Sequence, residues 1–498
     1  MAKYLVLSVV LLGKAWPCTA ELPSFGNTGA VCRLTKPAAL HLNEQTAQVI
    51  QAAFQHADYP DIKGEKSMRF VGKIAYGLTN IHVSGLSIES SSVDFQEDSA
   101  ISIEIQNVSA SFRGTLSYGF VGTWLVKLIH AIEFEIDSSI DLQINVKLDC
   151  AKSRVVVDTS DCYLAFHKLA LHLQGDKDPG WLKQLFTNFI SFTLKLVLKN
   201  QVCKEINFLA QMLADLFQDG AAHFLQDGDI GLDLSVTASP VIKATYLESH
   251  HKGLLLYKNY STASHGTAFT PFLLPESRML HFWFSDHVLN SLALAAFLDE
   301  RLELTITGKE LQEIFESEKL QTHQEIVQEI FQGVSYNDST AKVWSLQPPQ
   351  IDLQPEGTLV RSSVAVKLVV SPEGEGPSTR LYFEKEVTAL IHASYAQKRL
   401  TLHQSHTMIL PRTFKCSPDI SVSEETLRHI LENIITITGI PKVVSRIEAA
   451  VTSLLNSKGI LVTDIIDPEI ITEKGYFIVQ MDFNIPHHLL RDFLKRSL

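Results

Sequence analysis

From Ile101 to Leu173 apolar and polar side chains alternate along most of the chain, and this restricts the fold more than any other feature. Ile101-Ile103-Ile105, Ile132-Phe134-Ile136 and Ile140-Leu142-Ile144-Val146-Leu148 place an apolar residue at every second position, with Ser, Glu, Gln, Asp and Asn between them. Successive strand residues point to opposite faces. Such runs therefore predict long antiparallel strands, dry on one face and wet on the other. Leu164-Phe166, Leu169-Leu171-Leu173 and Ile230-Leu232-Leu234-Val236 continue the pattern.

A sheet of this kind needs something to cover its dry face. Asp178-Pro179 supplies a helix start, since Pro suits the first turn. No Gly or Pro occurs from Trp181 to Asp219, and apolar residues recur there at helical spacing. Unbroken, that helix would be about 58 Å long at 1.5 Å per residue, which requires a large curved sheet beneath it. A shorter helix is expected from Ala38 to Ala57, after Pro37.

The second half repeats this order. Asp286 to Leu298 read as a helix. Strands are expected at Leu302-Leu304-Ile306, Val364-Val366-Leu368, Val387-Ala389-Ile391 and Leu400-Leu402. Ser421 with Glu424 forms a capping-box pattern for a helix to about Thr438, interrupted at Pro441 and resumed to Asn456. Strands return near Ile470 and at Phe477-Val479-Met481-Phe483. Two similar domains are expected, joined through residues 259–276, a stretch rich in Ser, Thr, Gly, His and Pro.

Residues 1–17 read as a signal peptide: Lys3, an apolar run from Tyr4 to Leu12, then small residues at Gly13, Ala15 and Ala20. The expected location is therefore extracellular. No other stretch reads as a membrane span; Phe186 to Leu198 is broken by Asn188 and Lys195. The net charge of −12 argues against a nucleic-acid partner, whose phosphates need basic patches. An oxidising compartment permits disulfides among Cys18, Cys32, Cys150, Cys162, Cys203 and Cys416, and sequence alone leaves their pairing open. Sequons at Asn107, Asn259 and Asn337 are candidate glycan sites.

Catalytic signatures are missing. Gly85-Leu86-Ser87 and Gly333-Val334-Ser335 lack the second Gly of a nucleophile elbow, and no zinc-protease, P-loop or dinucleotide motif occurs. His250 and His251 are adjacent on an expected strand, so they point apart and cannot easily share a metal. His403 and His406 read as a solvated strand and turn. No enzyme, metal or cofactor is expected. The terminal segment, residues 486–498, reads as an amphipathic helix. Leu489, Leu490, Phe493 and Leu494 lie on one face, and basic residues fill the last turn.

Several segments resemble one family. They are CYLAFHKLALHLQG from Cys162, QLFTNFISFTLKLVLK from Gln184, DGDIGLDLS from Asp227, YLESHHKG from Tyr246, SRMLHFWFS from Ser277, SKGILVTDIIDPEIITEKG from Ser457 and QMDFNIPHHLLRDFL from Gln480. Together they are similar to the lipid-transfer, lipopolysaccharide-binding and bactericidal permeability-increasing protein family, from about Val31 to the C-terminus. The resemblance implies an α+β boomerang: two similar barrels of highly twisted antiparallel sheet with long helices, joined by a central sheet and enclosing an apolar tunnel. Residues 18–258 and 277–485 would form the halves, each giving strands to the central sheet.

It also implies that neutral lipid fills the tunnel while phospholipids plug its two openings. Gln218, Ser249 and His251 match polar positions of the tunnel wall, and Gly220 stands where the family pattern has Arg. Cys162 and Cys203 match the family disulfide, which leaves Cys32, Cys150 and Cys416 unpaired. The terminal helix matches a mobile lid over a lipid opening. The implied activity is exchange of cholesteryl ester and triglyceride, with some phospholipid, between lipoproteins (HDL, LDL and VLDL) in plasma, by a monomer without bond chemistry. The alternatives are a phospholipid-transfer or lipopolysaccharide-binding relative and, from another class, a secreted esterase.

Overall fold

The alternating stretch folds into long antiparallel strands. The computed structural model describes residues 28–68, 72–121, 126–174, 191–224, 228–258, 277–316, 324–331, 333–374, 376–397, 399–418, 420–458 and 464–484. The first strand, β1 (Ala30–Thr35), runs straight into helix α1 (Lys36–His56), with Pro37 in its first turn. Then come β2 (Ile62–Met68), β3 (Gly72–Ser87), β4 (Ser90–Gln96), β5 (Ala100–Val121), β6 (Val126–Ala151) and β7 (Arg154–Leu173). They form one antiparallel sheet in the order β2-β3-β5-β6-β7, with β4 on β5. Its register slips at several points, among them Ile105/Val108 and Tyr118/Phe120 of β5. Each bulge adds local twist and bends the sheet.

Helix α2 (Ser191–Phe224) lies on the dry face. Its 34 residues span about 51 Å. Leu194, Leu198, Val202, Ile206 and Leu209 repeat at three- or four-residue spacing and are buried against Phe112, Phe134, Ile136 and Ile140 of the sheet and Phe54 of α1. Side-chain ties run along its length. Cys162 of β7 is bonded to Cys203, and Asn207 Oδ1 accepts from Thr159 N at 2.9 Å and Thr159 Oγ1 at 3.1 Å. The helix continues past Asp219 through Gly220 to Phe224. An interior Gly costs only about 1 kcal/mol, which neighbouring turns offset.

After α2 come β8 (Ile230–Asp233), β9 (Val241–Ile242), β10 (Tyr246–His251), β11 (Leu254–Tyr257), β12 (Leu280–Ser285) and helix α3 (Asp286–Leu298). The expected strand through Val236 ends at Asp233, and Val236 keeps a single bridge to His251. A second curved sheet follows: β13 (Glu303–Thr307), β14 (Ser339–Ser345), β15 (Gln350–Gln354), β16 (Gly357–Val370), β17 (Ser378–Ala396) and β18 (Arg399–Cys416). Helices α4 (Gly308–Phe315) and α5 (Gln324–Phe331) lie between β13 and β14 in the chain. They help fill that sheet's core with Leu311, Ile314, Phe315, Val327, Ile330 and Phe331. They are too short for a periodicity reading to detect.

Helix α6 (Glu424–Ile434) is capped by Ser423, whose Oγ accepts from Thr426 N at 3.2 Å. Ser421, the expected cap, instead donates to Glu329 through its backbone and hydroxyl. A π-turn over Ile435–Gly439 then leads without a break into α7 (Ile440–Lys458). The wider turn makes room for Pro441, which in an α-helix would clash with the carbonyl four residues earlier. The chain ends its described part with β19 (Asp464–Glu473) and β20 (Tyr476–Asn484).

The third sheet joins the halves, in the order β19-β20-β12-β1-β10-β9. β1 lies at its middle. Ala30 to Leu34 pair with His251 to Leu247 on one side and with Phe284 to Leu280 on the other. One expectation about cysteine is corrected: Cys150 is disulfide-bonded, and its partner lies outside the described residues. Cys32 and Cys416 are free.

Candidate functional site

The central sheet has two unlike faces, because each of its strands alternates. On one, Arg33, Glu248, His250, His281, Trp283, Ile478 and Gln480 are all buried. Arg33 donates from Nε at 2.9 Å and from Nη2 at 2.7 Å to Glu248 Oε2. Its guanidinium also lies over the rings of Tyr246, at 4.1 Å, and Trp283, at 4.8 Å. His250 Nε2 lies 2.7 Å from Glu248 Oε1. Burial alone would push the Glu248 carboxyl up. The bonds from His250 and Arg33 outweigh it and hold the group below the usual carboxylate range.

The other face is apolar and only half covered. Cys32 is directly opposite Ser249 on β10 and Phe282 on β12. Phe282 stacks on Phe284 at 6.1 Å, and Phe284 on Phe477 at 5.1 Å. This rank of rings crosses from β12 to β20, with Val479 beside it. Its members are neither buried nor fully exposed. Burial, followed by the nearby Glu248 charge, pushes the Cys32 thiol up to about 12, so it stays a neutral, apolar-like group.

Two polar side chains share this apolar face. Ser249 Oγ and His251 Nε2 are 2.9 Å apart, and His251 Nδ1 is 2.9 Å from the carbonyl oxygen of Leu234. A carbonyl only accepts, so Nδ1 carries the proton, Nε2 accepts, and the Ser249 hydroxyl donates. Burial, with a smaller effect of His250, holds the imidazole below its ordinary value and therefore neutral. The pair satisfies itself and leaves no spare donor. Gln218 is similarly engaged: its Oε1 accepts from Val155 N at 2.9 Å, and its Nε2 donates to Val155 O at 3.0 Å and Ala214 O at 3.1 Å. It ties α2 to β7 beside Arg154, which bonds Asp215 and Asp219.

Of the residues singled out from sequence, Ser249 and His251 therefore share a surface, and Gln218 sits on a separate helix-to-strand tie. His250 and His251 do point to opposite faces. Asn107 is exposed at the bulge of β5, and Asn337 is exposed on a short turn where its N–H donates to Ser335 Oγ. Asn259, Leu489, Leu490, Phe493 and Leu494 lie outside the described residues. Sequence reasoning missed Cys32, Phe282, Phe284 and Phe477, which are up to 445 positions apart in the chain and meet only through sheet register. Among the described residues no group of three or more His, Cys, Asp or Glu is set to hold a metal, and no helix is long and apolar enough to cross a membrane.

Two family models match the chain: LBP / BPI / CETP family, N-terminal domain, over residues 39–216, and the C-terminal domain of the same family over residues 225–451. The chain is 56% identical over 498 residues to a cholesteryl ester transfer protein of Gallus gallus, covering 100% of this chain and 98% of the relative. It is 50% identical over 490 residues to that of Homo sapiens, covering 98% of each. A crystal structure of lipopolysaccharide binding protein has the same fold, with a TM-score of 0.54 and 17% identity over 92% of this chain and 99% of that one. The chain belongs to the LBP / BPI / CETP family.

Proposed function

We propose that this protein is a secreted carrier that exchanges cholesteryl ester and triglyceride between lipoprotein particles without making or breaking bonds. The observation that carries this reading is the half-covered apolar face of the central sheet, built by strands from both halves of the chain. A C16 acyl chain crossing water alone costs about 13 kcal/mol, at roughly 0.8 per methylene. A continuous dry passage along that face would remove most of this cost. The self-satisfied Ser249–His251 pair fits a wall that grips hydrocarbon and asks little of the ester.

Leu489, Leu490, Phe493 and Leu494 would supply the apolar face of a lid. Glycans at Asn107, Asn259 and Asn337 would mark surfaces kept away from particles. Radiolabelled cholesteryl ester in donor particles tests the proposal. Intact ester should reach acceptor particles only when the protein is present, with triglyceride moving the other way.

Ester hydrolysis is the second reading, favoured by the hydroxyl-to-imidazole contact of Ser249 and His251. Against it, β10 is paired to β1 on one edge and to β9 and Val236 on the other, so its amides are engaged in the sheet rather than free for an oxyanion. Release of free fatty acid in the same assay would select hydrolysis.

A further inference from the structure

The solvent side of the second curved sheet carries three imidazoles from two adjacent strands that are gathered on one face by its register. His392 of β17 is directly opposite His403 of β18. The pairing then slips at Ser405, so that His406 falls opposite Leu390. Directly paired residues share a face, and Leu390 shares that of His392. His392, His403 and His406 therefore lie on one face, and all three are exposed. The extra residue is what achieves this. In a regular strand, positions 403 and 406 have opposite parity and point apart.

His392 is already oriented. A Cβ on Gly357 would lie 3.0 Å from its Cε1 and 3.1 Å from its Nδ1, so the missing side chain leaves room for the ring. Its Nε2 is 3.1 Å from the Oγ of Ser405, the extra residue at the slip that precedes His406. One ring nitrogen thus faces β18, and the other faces Gly357. Directly opposed strand residues have Cβ atoms about 5 Å apart, and diagonal ones about 7 Å, within reach of two imidazoles meeting at one ion.

We propose that this cluster is a surface site for a borderline divalent cation, Zn²⁺ or Cu²⁺, bound chiefly by His392 and His403. His406 and water would complete the shell. Neutral imidazole is a good ligand for these metals. The three rings are not set around a common point as they stand, and exposed side chains change rotamer on a picosecond-to-nanosecond scale, so binding would turn them inward. The ligands come together only in the paired strands, so an ion held here would bind the folded hairpin and not the unfolded chain. It would fasten β18, whose outer edge near its start is covered by α7 through Thr452 to Leu400 N and Glu448 to Leu402 N.

Calorimetric titration of the full chain with zinc chloride at neutral pH tests this, repeated with cupric ion and its electron paramagnetic resonance spectrum. One saturable site with nitrogen coupling to copper is expected. His392→Gln and His403→Gln should each weaken it about tenfold or more, with circular dichroism unchanged because both rings are exposed. No saturable binding by the parent protein, or parental affinity in either variant, overturns the assignment.

Discussion

Arg33 and Glu248, 215 residues apart in the chain, form a buried ion pair with side-chain exposures of 7% and 8% on the covered face of the central sheet. Removing one partner leaves a charge stranded in a dry interior, a change that typically costs 3–5 kcal/mol. Arg33→Met should destabilise the protein by about 3 kcal/mol or more in urea unfolding, and Arg33→Met with Glu248→Leu should recover much of that loss. The pH dependence has a definite sign. The folded carboxyl of Glu248 lies below its ordinary value, so its contribution is present above the unfolded value of about 4.3 and vanishes as pH falls through the folded one. Thermal scans from pH 7 to pH 3 should show the parent losing more stability than the double variant.

His251 is held neutral with a lowered folded value. It favours the folded state above the ordinary imidazole range near 6.5, and that contribution declines as pH falls below it. His251→Phe should flatten the pH 7 to pH 5 segment of the same profile.

Ser249 and His251 are bonded to each other, so a lipid carbonyl would have to compete for the hydroxyl. Ser249→Ala should therefore lower neutral-lipid transfer only about two- to tenfold, the range of one net hydrogen bond. Cys32→Trp, which adds bulk between Ser249 and Phe282, should nearly abolish it. Equal, small effects of both changes would show that this face is not the path.

The turn between β6 and β7 places two ordinary residues in left-handed backbone, Lys152 at φ 52° and Ser153 at φ 62°. Asn-Gly suits such a two-residue hairpin far better. Lys152→Asn with Ser153→Gly should raise stability by about 1–2 kcal/mol, read as a higher melting temperature. The Ser153 carbonyl keeps its role as acceptor from Val236 N.

Cys162 and Cys203 close a loop of 41 residues between β7 and α2. In the chain-entropy description this adds about 4 kcal/mol, so Cys162→Ala with Cys203→Ala should lower the unfolding free energy by a comparable amount.

Deleting residues 487–498 should cut neutral-lipid transfer while leaving the circular dichroism spectrum in place. Undiminished transfer would remove the lid role from Leu489, Leu490, Phe493 and Leu494.

Much of the architecture can be read from local pattern, because alternation and helical spacing are local properties. Ile140 to Leu148 form a strand as their period requires, and Asp286 to Leu298 form the expected helix to the residue. What escapes is set by distant partners. Ser421 fits a capping box, but Glu329 from another helix takes its hydroxyl. Pro441 reads as a break, yet the preceding π-turn absorbs it. Ser249 and His251 could be picked from family likeness, while the facing Cys32 and the Phe282–Phe284–Phe477 rank depend on which strands become neighbours. His392 and His403 are likewise brought together by pairing, with nothing in their spacing to announce it.

The place of β1 has a mechanical outcome. This six-residue strand belongs by sequence to the first half, but it is zipped on both sides, to β10 of its own half and to β12 of the other. A protease cutting anywhere between residues 258 and 277 would sever the polypeptide without separating the pieces. The nicked molecule should migrate as one particle on a sizing column and fall apart only in denaturant, and neither fragment expressed alone would have a finished edge to rest on.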